Sequence, residues 1–293
     1  MSDLSRPVDP AKLIAFQGEL GAYSDLACRM SRPEMNTLPC HTFEDAFAAV
    51  RDGDAALAMI PIENSVAGRV ADIHHLLPES GLHIIGEHYQ RINHHLLAVP
   101  GTKLEDVTEV YSHVHALNQC RDYLKEHGIK PVVAVDTAGS AKEIAKSGDT
   151  TKAVIASELA GEIYGLTSLA ADIEDAEHNT TRFVVMAKEA IVPHAKAGMA
   201  VTSFIFRVRN VPAALFKAMG GFATNGINIT KLESYIVDGS FIAAQFYVDC
   251  EGHPENRDLR LALEELDFFT SNMKILGVYP PHPYRLQQKL DDE

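Results

Sequence analysis

Six residues, His178-Asn179-Thr180-Thr181-Arg182-Phe183, set a cation and two hydroxyls beside an apolar strand that runs from Phe183 to Ala187. An arginine at a strand edge holds a carboxylate through two parallel hydrogen bonds. A neighbouring threonine hydroxyl then donates to a second group on the same small molecule. The same six residues also read as a polar turn leading into a strand, after the acidic, helix-breaking run 172–177. Partners elsewhere in the chain must decide between the two readings.

Three other places offer such partners. Leu13 to Phe16 is a short apolar run ended by Gly18 and Gly21, after which Ser24-Asp25 is placed to cap a helix through about Met30. A strand, a glycine turn and a helix in that order point backbone N–H groups at an anion above the strand. Ala55 to Ile60 reads as a buried strand that delivers Pro61-Ile62-Glu63-Asn64-Ser65 at its carboxyl end, where open α/β sheets bind ligands. Asn64 accepts and donates, and Ser65 does both while capping a helix expected from Val66 through Leu77, where Pro78 stops it. The carboxylate of Glu63 repels an anionic ligand unless it is protonated or turned to a cation, which gives it a supporting role. Ser112 ends a third strand, and Gln119 follows one to two helical turns later, so both are expected to face a cleft.

Histidines are numerous, and His113 and His115 are second-rank acids or bases near neutral pH. The pairs His74-His75 and His94-His95 do not suit a metal. Adjacent side chains on a helix or strand point in different directions, and no acid or cysteine stands at ligand spacing near them. Surface or packing roles are expected for both pairs.

The positioning elements alternate. A strand from Thr37 to Cys40, a helix from Thr42 with Phe43, Ala46, Phe47 and Val50 on one face, and the strand 55–60 continue the first lobe. Strands 82–86 and 94–99 lead to a second βα series: strand 110–112, helix 115–126, strand 132–135, helix 140–146 and strand 153–156. Two α/β lobes with a cleft between them follow. Residues 189–200, with Pro193 and Gly198, read as a linker. The tail then has the order βαββαβ, with strands 202–208, 227–237, 241–249 and 273–278, helices 212–224 and 256–268, and a hairpin signal at Asp238-Gly239. That is a ferredoxin-like unit of roughly 80 residues with one sheet face expected to be free.

The 293 residues suffice for two domains, and 46% apolar with 23% charged residues is the balance of a chain that folds. A formal net charge of −14 argues against nucleic acid or an anionic membrane as the main partner, since either asks for a basic stripe. Cys28, Cys40, Cys120 and Cys250 stand far apart, as reduced thiols in a cytoplasmic protein would. The N-terminal residues carry no apolar export signal, and no run of about eighteen apolar residues suggests a membrane span.

Taken together, Gly18-x-x-Gly21-x-x-Ser24, Pro61-Ile62-Glu63-Asn64-Ser65 with Gly68, Ser112-His113 with Ala116-Leu117 and Gln119-Cys120, and Thr181-Arg182-Phe183 resemble prephenate dehydratase in content and order. The resemblance covers nearly the whole chain, because the tail resembles the ACT domain through which that family senses phenylalanine. It implies a two-lobed, periplasmic-binding-protein-like catalytic domain at 12–188, a linker at 189–200 and an ACT regulatory domain at 201–281. The implied reaction removes water and carbon dioxide from prephenate to give phenylpyruvate, without a cofactor. By resemblance Thr181 assists the departing hydroxyl, with Asn64, Ser112 and Gln119 positioning the substrate and Glu63 supporting them. Arg182 anchors a substrate carboxylate, and Ser24, Ser65, Thr180 and Phe183 complete the binding site.

For phenylalanine the resemblance implies a site formed by Asn210, Ala213, Ala214 and Leu215 at a helix start and by Asn228, Glu233 and Ser234 along a strand. A homodimer or homotetramer is implied as well. The chain departs from the family pattern at Val114-His115, where Pro-Gln is common. It departs again at Ala213-Ala214-Leu215 for Gly-Ala-Leu and at Glu233-Ser234-Tyr235-Ile236 for Glu-Ser-Arg-Pro. Arogenate dehydratase, the same elimination on an amino-acid substrate, fits the same motifs. A non-catalytic sensor remains the alternative of another class, since two lobes with a cleft also describe solute-binding proteins.

Overall fold

The computed structural model describes residues 9–209, 211–237 and 240–292, the side chains of 71, 72, 237, 240–244 and 289–292 excepted. The chain forms two compact units. One comprises the residues up to Val70 with Tyr89–Phe183, and the other Ala71–His88 with the residues from Val184 onward.

The first lobe of the first unit is built from β1 (Leu13–Gln17), α1 (Tyr23–Ser31), β2 (Asn36–Cys40), α2 (Phe43–Asp52), β3 (Leu57–Asn64) and the two-residue β4 (Gly68–Arg69). Strand β1 runs parallel to both β2 and β3, and its Ile14, Ala15 and Phe16 are completely buried, as a central parallel strand requires. Thr42 and Asp45 form a capping box that starts α2, and Gly53, in the left-handed region at φ 88°, ends it. Strand β4 corrects the sequence reading of a helix from Val66. Glu63 pairs with Arg69 and Asn64 with Gly68 in an antiparallel hairpin, and the helix begins only at Ala71.

The chain then enters the second unit for α3 (Ala71–Leu76) and most of β5 (His83–Arg91), and returns to form the second lobe. Here β6 (His95–Ala98), β7 (Glu109–His113), α4 (Val114–Gln119), α5 (Arg121–Glu126), β8 (Lys130–Ala134), α6 (Thr137–Ser147), β9 (Lys152–Ala156), α7 (Glu158–Tyr164) and β10 (Thr167–Ala170) give a sheet of order β10-β6-β9-β7-β8. The single helix expected over 115–126 is two helices, broken at Cys120 (φ −123°, ψ 26°), so that Gln119 ends α4. Each fully buried Ile, Leu or Val in this sheet contributes about 1.5–3 kcal/mol. Leu96, Val110, Val154 and Ile155 are completely buried.

The lobes meet at the glycine turn. Ser157 Oγ donates to the Gly21 carbonyl at 2.5 Å, and the Tyr164 hydroxyl donates to the Leu20 carbonyl at 2.9 Å. A Cβ on Gly21, whose φ is +87°, would stand 2.7 Å from the backbone of Ala160, so only glycine allows this approach. Strand β11 (Thr180–Ala187) returns to the first sheet, beside β3.

The second unit contains β12 (Val201–Val208), α8 (Ala214–Thr224), β13 (Ile229–Val237), β14 (Ser240–Glu251), α9 (Arg257–Phe269), β15 (Thr270–Tyr279) and α10 (Pro283–Asp292). The βαββαβ order is ferredoxin-like, with antiparallel strands in the order β13-β14-β12-β15. Phe204, Phe206, Phe246 and Val248 bury one sheet face against Phe222 of α8 and Leu259 and Leu263 of α9. The hairpin signal Asp238-Gly239 lies outside the described residues.

The other sheet face is not free, contrary to expectation. His74 packs between Tyr235 and Tyr247, and His75 meets Tyr235 edge-on. Strand β5 extends the sheet beside β15, where Gly277 pairs with Ile84 so closely that a Cβ would stand 2.1 Å from the Ile84 carbonyl oxygen. Helix α10, which the sequence pattern did not suggest, sends Arg285 to both carboxylate oxygens of the buried Glu87, each at 2.9 Å. No helix among the described residues is long and apolar enough to cross a membrane.

Candidate active site

The carboxyl end of β3 and the start of β11 are fastened to each other by side chains. Ser65 Oγ donates to the His178 carbonyl at 2.6 Å and accepts from the Thr180 N–H at 2.9 Å, while the Ser65 N–H donates to the Thr180 carbonyl. Ser65 is therefore a strand clamp, not the helix cap expected. Asn64 is fixed at both ends of its amide. Its Oδ1 accepts from the N–H groups of Val66 and Ala67 at 2.9 and 2.7 Å, and its Nδ2 donates to Asn179 Oδ1 at 2.8 Å and to Thr181 Oγ1 at 2.9 Å. Thr181 is half-buried, and no group among the described residues accepts its hydroxyl hydrogen.

Asn179, wholly buried, continues the contact into the second lobe. Its Nδ2 donates to Gln119 Oε1 at 3.0 Å, and the same oxygen lies 2.8 Å from His94 Nε2. His94 Nδ1 is 2.8 Å from the Tyr23 hydroxyl, which is also 2.7 Å from the Asn93 carbonyl. Burial pushes the His94 ring below the ordinary histidine value and the Tyr23 phenol well above its own. The acidic run before β11 supports this arrangement. Glu174 accepts the His94 N–H at 2.8 Å and pairs with Arg91 at 3.1 Å, and Asp175 caps α5 through the N–H groups of Arg121 and Asp122.

Arg182 and Glu63 occupy the opposite side of their strands from Thr181 and Asn64, as neighbours in a strand must. Arg182 Nη1 donates to Glu63 Oε1 at 2.9 Å, and the Arg182 side chain is 2% exposed against 32% for Glu63. The expected carboxylate anchor is thus a buried partner of Glu63, and Glu63 has found the cation that its placement demanded.

The structure places four further candidate site residues as follows. Ser112 is fully buried and donates to the Ile155 carbonyl at 2.7 Å, inside the second sheet instead of toward a cleft. Phe183 is 1% exposed and belongs to the core, and Thr180 is buried beside it. Ser24 lies within the first turn of α1. Buried Asp25 takes the Gly21 N–H at 2.8 Å, and Ala22 is the cap residue.

In the second unit Asn210 lies outside the described residues. Ala213 precedes α8 in the left-handed region at φ 60°, with Ala214 buried and Leu215 packed on the core. Asn228 and Ser234 are exposed, and Glu233 pairs with Lys231 at 3.3 Å. Sequence reasoning missed Asn179, His94 and Tyr23. Asn179 stood two residues before Thr181 as a visible signal, whereas His94 and Tyr23 gain their partners only through tertiary contact.

The prephenate dehydratase family model matches residues 14–191. The chain belongs to the prephenate dehydratase family. It is 52% identical, over 94% of its own length and 98% of the relative's, to a bifunctional N-acyl-homoserine lactone acylase/prephenate dehydratase of Komagataeibacter europaeus. It is 40% identical to the chloroplastic arogenate dehydratase/prephenate dehydratase 1 of Arabidopsis thaliana, over 91% of this chain and 71% of that one. Among solved structures, the prephenate dehydratase of Arthrobacter aurescens in complex with L-Phe superimposes with a TM-score of 0.83 at 28% identity, covering 96% and 98% of the two chains. Family membership makes this a dehydratase-type enzyme with a two-lobed, periplasmic-binding-protein-like catalytic part. The fastened ends of β3 and β11 lie within the stretch that the family model matches.

Proposed function

We propose that the protein is a prephenate dehydratase that converts prephenate to phenylpyruvate, carbon dioxide and water. The observation that carries the reading is the Asn64 to Thr181 contact. Because Asn64 occupies the hydroxyl oxygen of Thr181 as a donor, the threonine hydrogen is left for an incoming ligand. In the reaction the bond between the ring and its carboxylate breaks, and that electron pair enters the ring. The C–O bond to the hydroxyl then breaks, and the leaving oxygen takes up a proton as water. Thr181 hydrogen-bonds that oxygen as negative charge develops on it, and Gln119 supplies further donors. Asn64 and the Glu63–Arg182 pair keep the two strand ends in place. Ser24, Ser65, Thr180, Phe183 and Ser112 contribute to the shape of the site and not to the chemistry.

We assign the catalytic domain to 12–188, a linker to 189–200 and an ACT regulatory domain to 201–281. L-phenylalanine is the effector, held near Ala213 to Leu215 and Asn228 to Ser234. The Arthrobacter aurescens relative solved with L-Phe supports this regulatory reading. The protein works in the cytoplasm as a homodimer or homotetramer.

The plant relatives favour arogenate as a second substrate, and the Komagataeibacter relative favours hydrolysis of N-acyl-homoserine lactones to a fatty acid and homoserine lactone. A single panel tests all three. Phenylpyruvate formation from prephenate, phenylalanine formation from arogenate and fatty-acid release from an N-acyl-homoserine lactone are followed with wild type and Thr181→Ala, the first also with L-phenylalanine. Turnover of prephenate that is lost in Thr181→Ala and slowed by phenylalanine is expected. Unchanged prephenate in the presence of wild type defeats the reading.

A further inference from the structure

An amide side chain is oriented by what its partners are able to do. Backbone N–H groups only donate, so the Asn64 atom that meets Val66 and Ala67 is its oxygen. Its NH2 then faces Asn179, whose facing atom must accept, and the Asn179 NH2 in turn faces Gln119. The Gln119 atom at that point must also accept, and as Oε1 it requires His94 to carry a hydrogen on Nε2. One fixed end thus sets the direction of four side chains. The NH2 of Gln119 is left turned away from Asn179 and His94, and among the described residues nothing accepts its hydrogens.

We infer that Asn179 and His94 are positioning residues that hold the Gln119 amide with its NH2 toward the ligand. The site at that point therefore takes an oxygen acceptor, a carboxylate or carbonyl, and disfavours an ammonium. The inference deepens the proposed function and rests on it only for the identity of the ligand. With Gln119 turned the other way, its carbonyl would face the ligand's oxygens and repel them. Thr181 would keep its own partner, because Asn64 is fixed independently by backbone.

Two measurements test this. The first needs only wild type. Long-range 1H–15N spectra of the ring nitrogens, assigned by triple resonance, are expected to show His94 with a hydrogen on Nε2, whether or not Nδ1 also carries one. A bare Nε2 would mean that Gln119 presents its NH2 to His94, and would overturn the inference.

The second is a double-mutant cycle on kcat/KM for prephenate with Asn179→Asp and Gln119→Ala. A carboxylate at 179 only accepts, so it turns the Gln119 NH2 inward, while its charge acts in both backgrounds. The loss on Asn179→Asp is expected to be about tenfold larger in the wild-type background than in the Gln119→Ala background. Equal losses would make Asn179 a merely structural residue. Should Asn179→Asp fail to fold, as judged by circular dichroism, the His94 spectrum decides. Should wild type leave prephenate unchanged, the functional reading falls while the spectrum still reports the amide direction.

Discussion

The side-chain NH2 of Asn64 lies 2.9 Å from the hydroxyl oxygen of Thr181, 117 residues further along the chain. This makes Thr181 an acceptor toward the protein and a donor toward a ligand. Thr181→Val, which keeps the shape and removes the hydroxyl, is expected to lower kcat for prephenate by about 10²–10³ with little change in KM. Thr181→Ser should keep most of the activity. Steady-state kinetics on both variants checks this, and a Thr181→Val enzyme with normal kcat would remove the hydroxyl from the chemistry.

The Arg182–Glu63 pair predicts a stability effect. Arg182→Ala leaves a partly buried carboxylate without this partner and should lower the unfolding free energy by about 2–3 kcal/mol, reduced from the fully buried case because Glu63 is one-third exposed. Glu63→Gln, whose amide oxygen still accepts, should cost about 1 kcal/mol. Urea unfolding measures both. A normal urea midpoint in Arg182→Lys together with a raised KM would instead mark Arg182 as a direct ligand of the substrate carboxylate.

His94 predicts a pH dependence. Its ring is held below the ordinary value of about 6.5 by burial, against the opposing influence of Gln119 and Glu174, with Arg91 and His95 acting in the direction of burial. The unfolded chain therefore binds a proton more readily than the folded one, so stability falls as pH drops through about 6.5. His113 and His282 are also lowered by burial and add in the same sense. The loss of thermal stability between pH 7.5 and 5.5 should be smaller in His94→Gln than in wild type, where the other two act equally. An identical loss would sink the prediction.

Ala213 holds a left-handed backbone at φ 60°, where an L residue with a Cβ is strained. Ala213→Gly should raise the unfolding free energy by about 1 kcal/mol, read from the thermal midpoint. A lowered midpoint would mean that the glycine's greater freedom in the unfolded chain outweighs the relief.

Much of this was legible in the residues themselves. Phe204 and Phe206 alternate out from the sheet as period two requires, and Thr42 with Asp45 announces α2 in four letters. The opposite facing of Thr181 and Arg182 was legible too, since it follows from the same period. Other features had no local signal. Tyr23 meets His94 71 residues away, and Gln119 meets Asn179 60 residues away, through packing of the lobes. Ser65 carries equal credentials as a cap and as a clamp, and only the nearness of β11 selects the clamp. The polar residues of the tail's second face looked solvated because the segment that covers them precedes it by more than a hundred residues.

The pairing of that early segment with the tail sets an order of events during synthesis. Lys274 Nζ reaches the Pro78 carbonyl across 196 residues, and Arg285 reaches Glu87 across 198. At a translation rate of about 5–20 residues per second, the stretch around Pro78 to Glu87 waits on the order of 10–40 s for its partners. Glu87, buried in the finished protein, spends that interval without Arg285, and Ile84 spends it without Gly277, with which it finally pairs. The second unit is therefore completed only after residue 285 has been synthesised, and until then β5 has no neighbour on its β15 side.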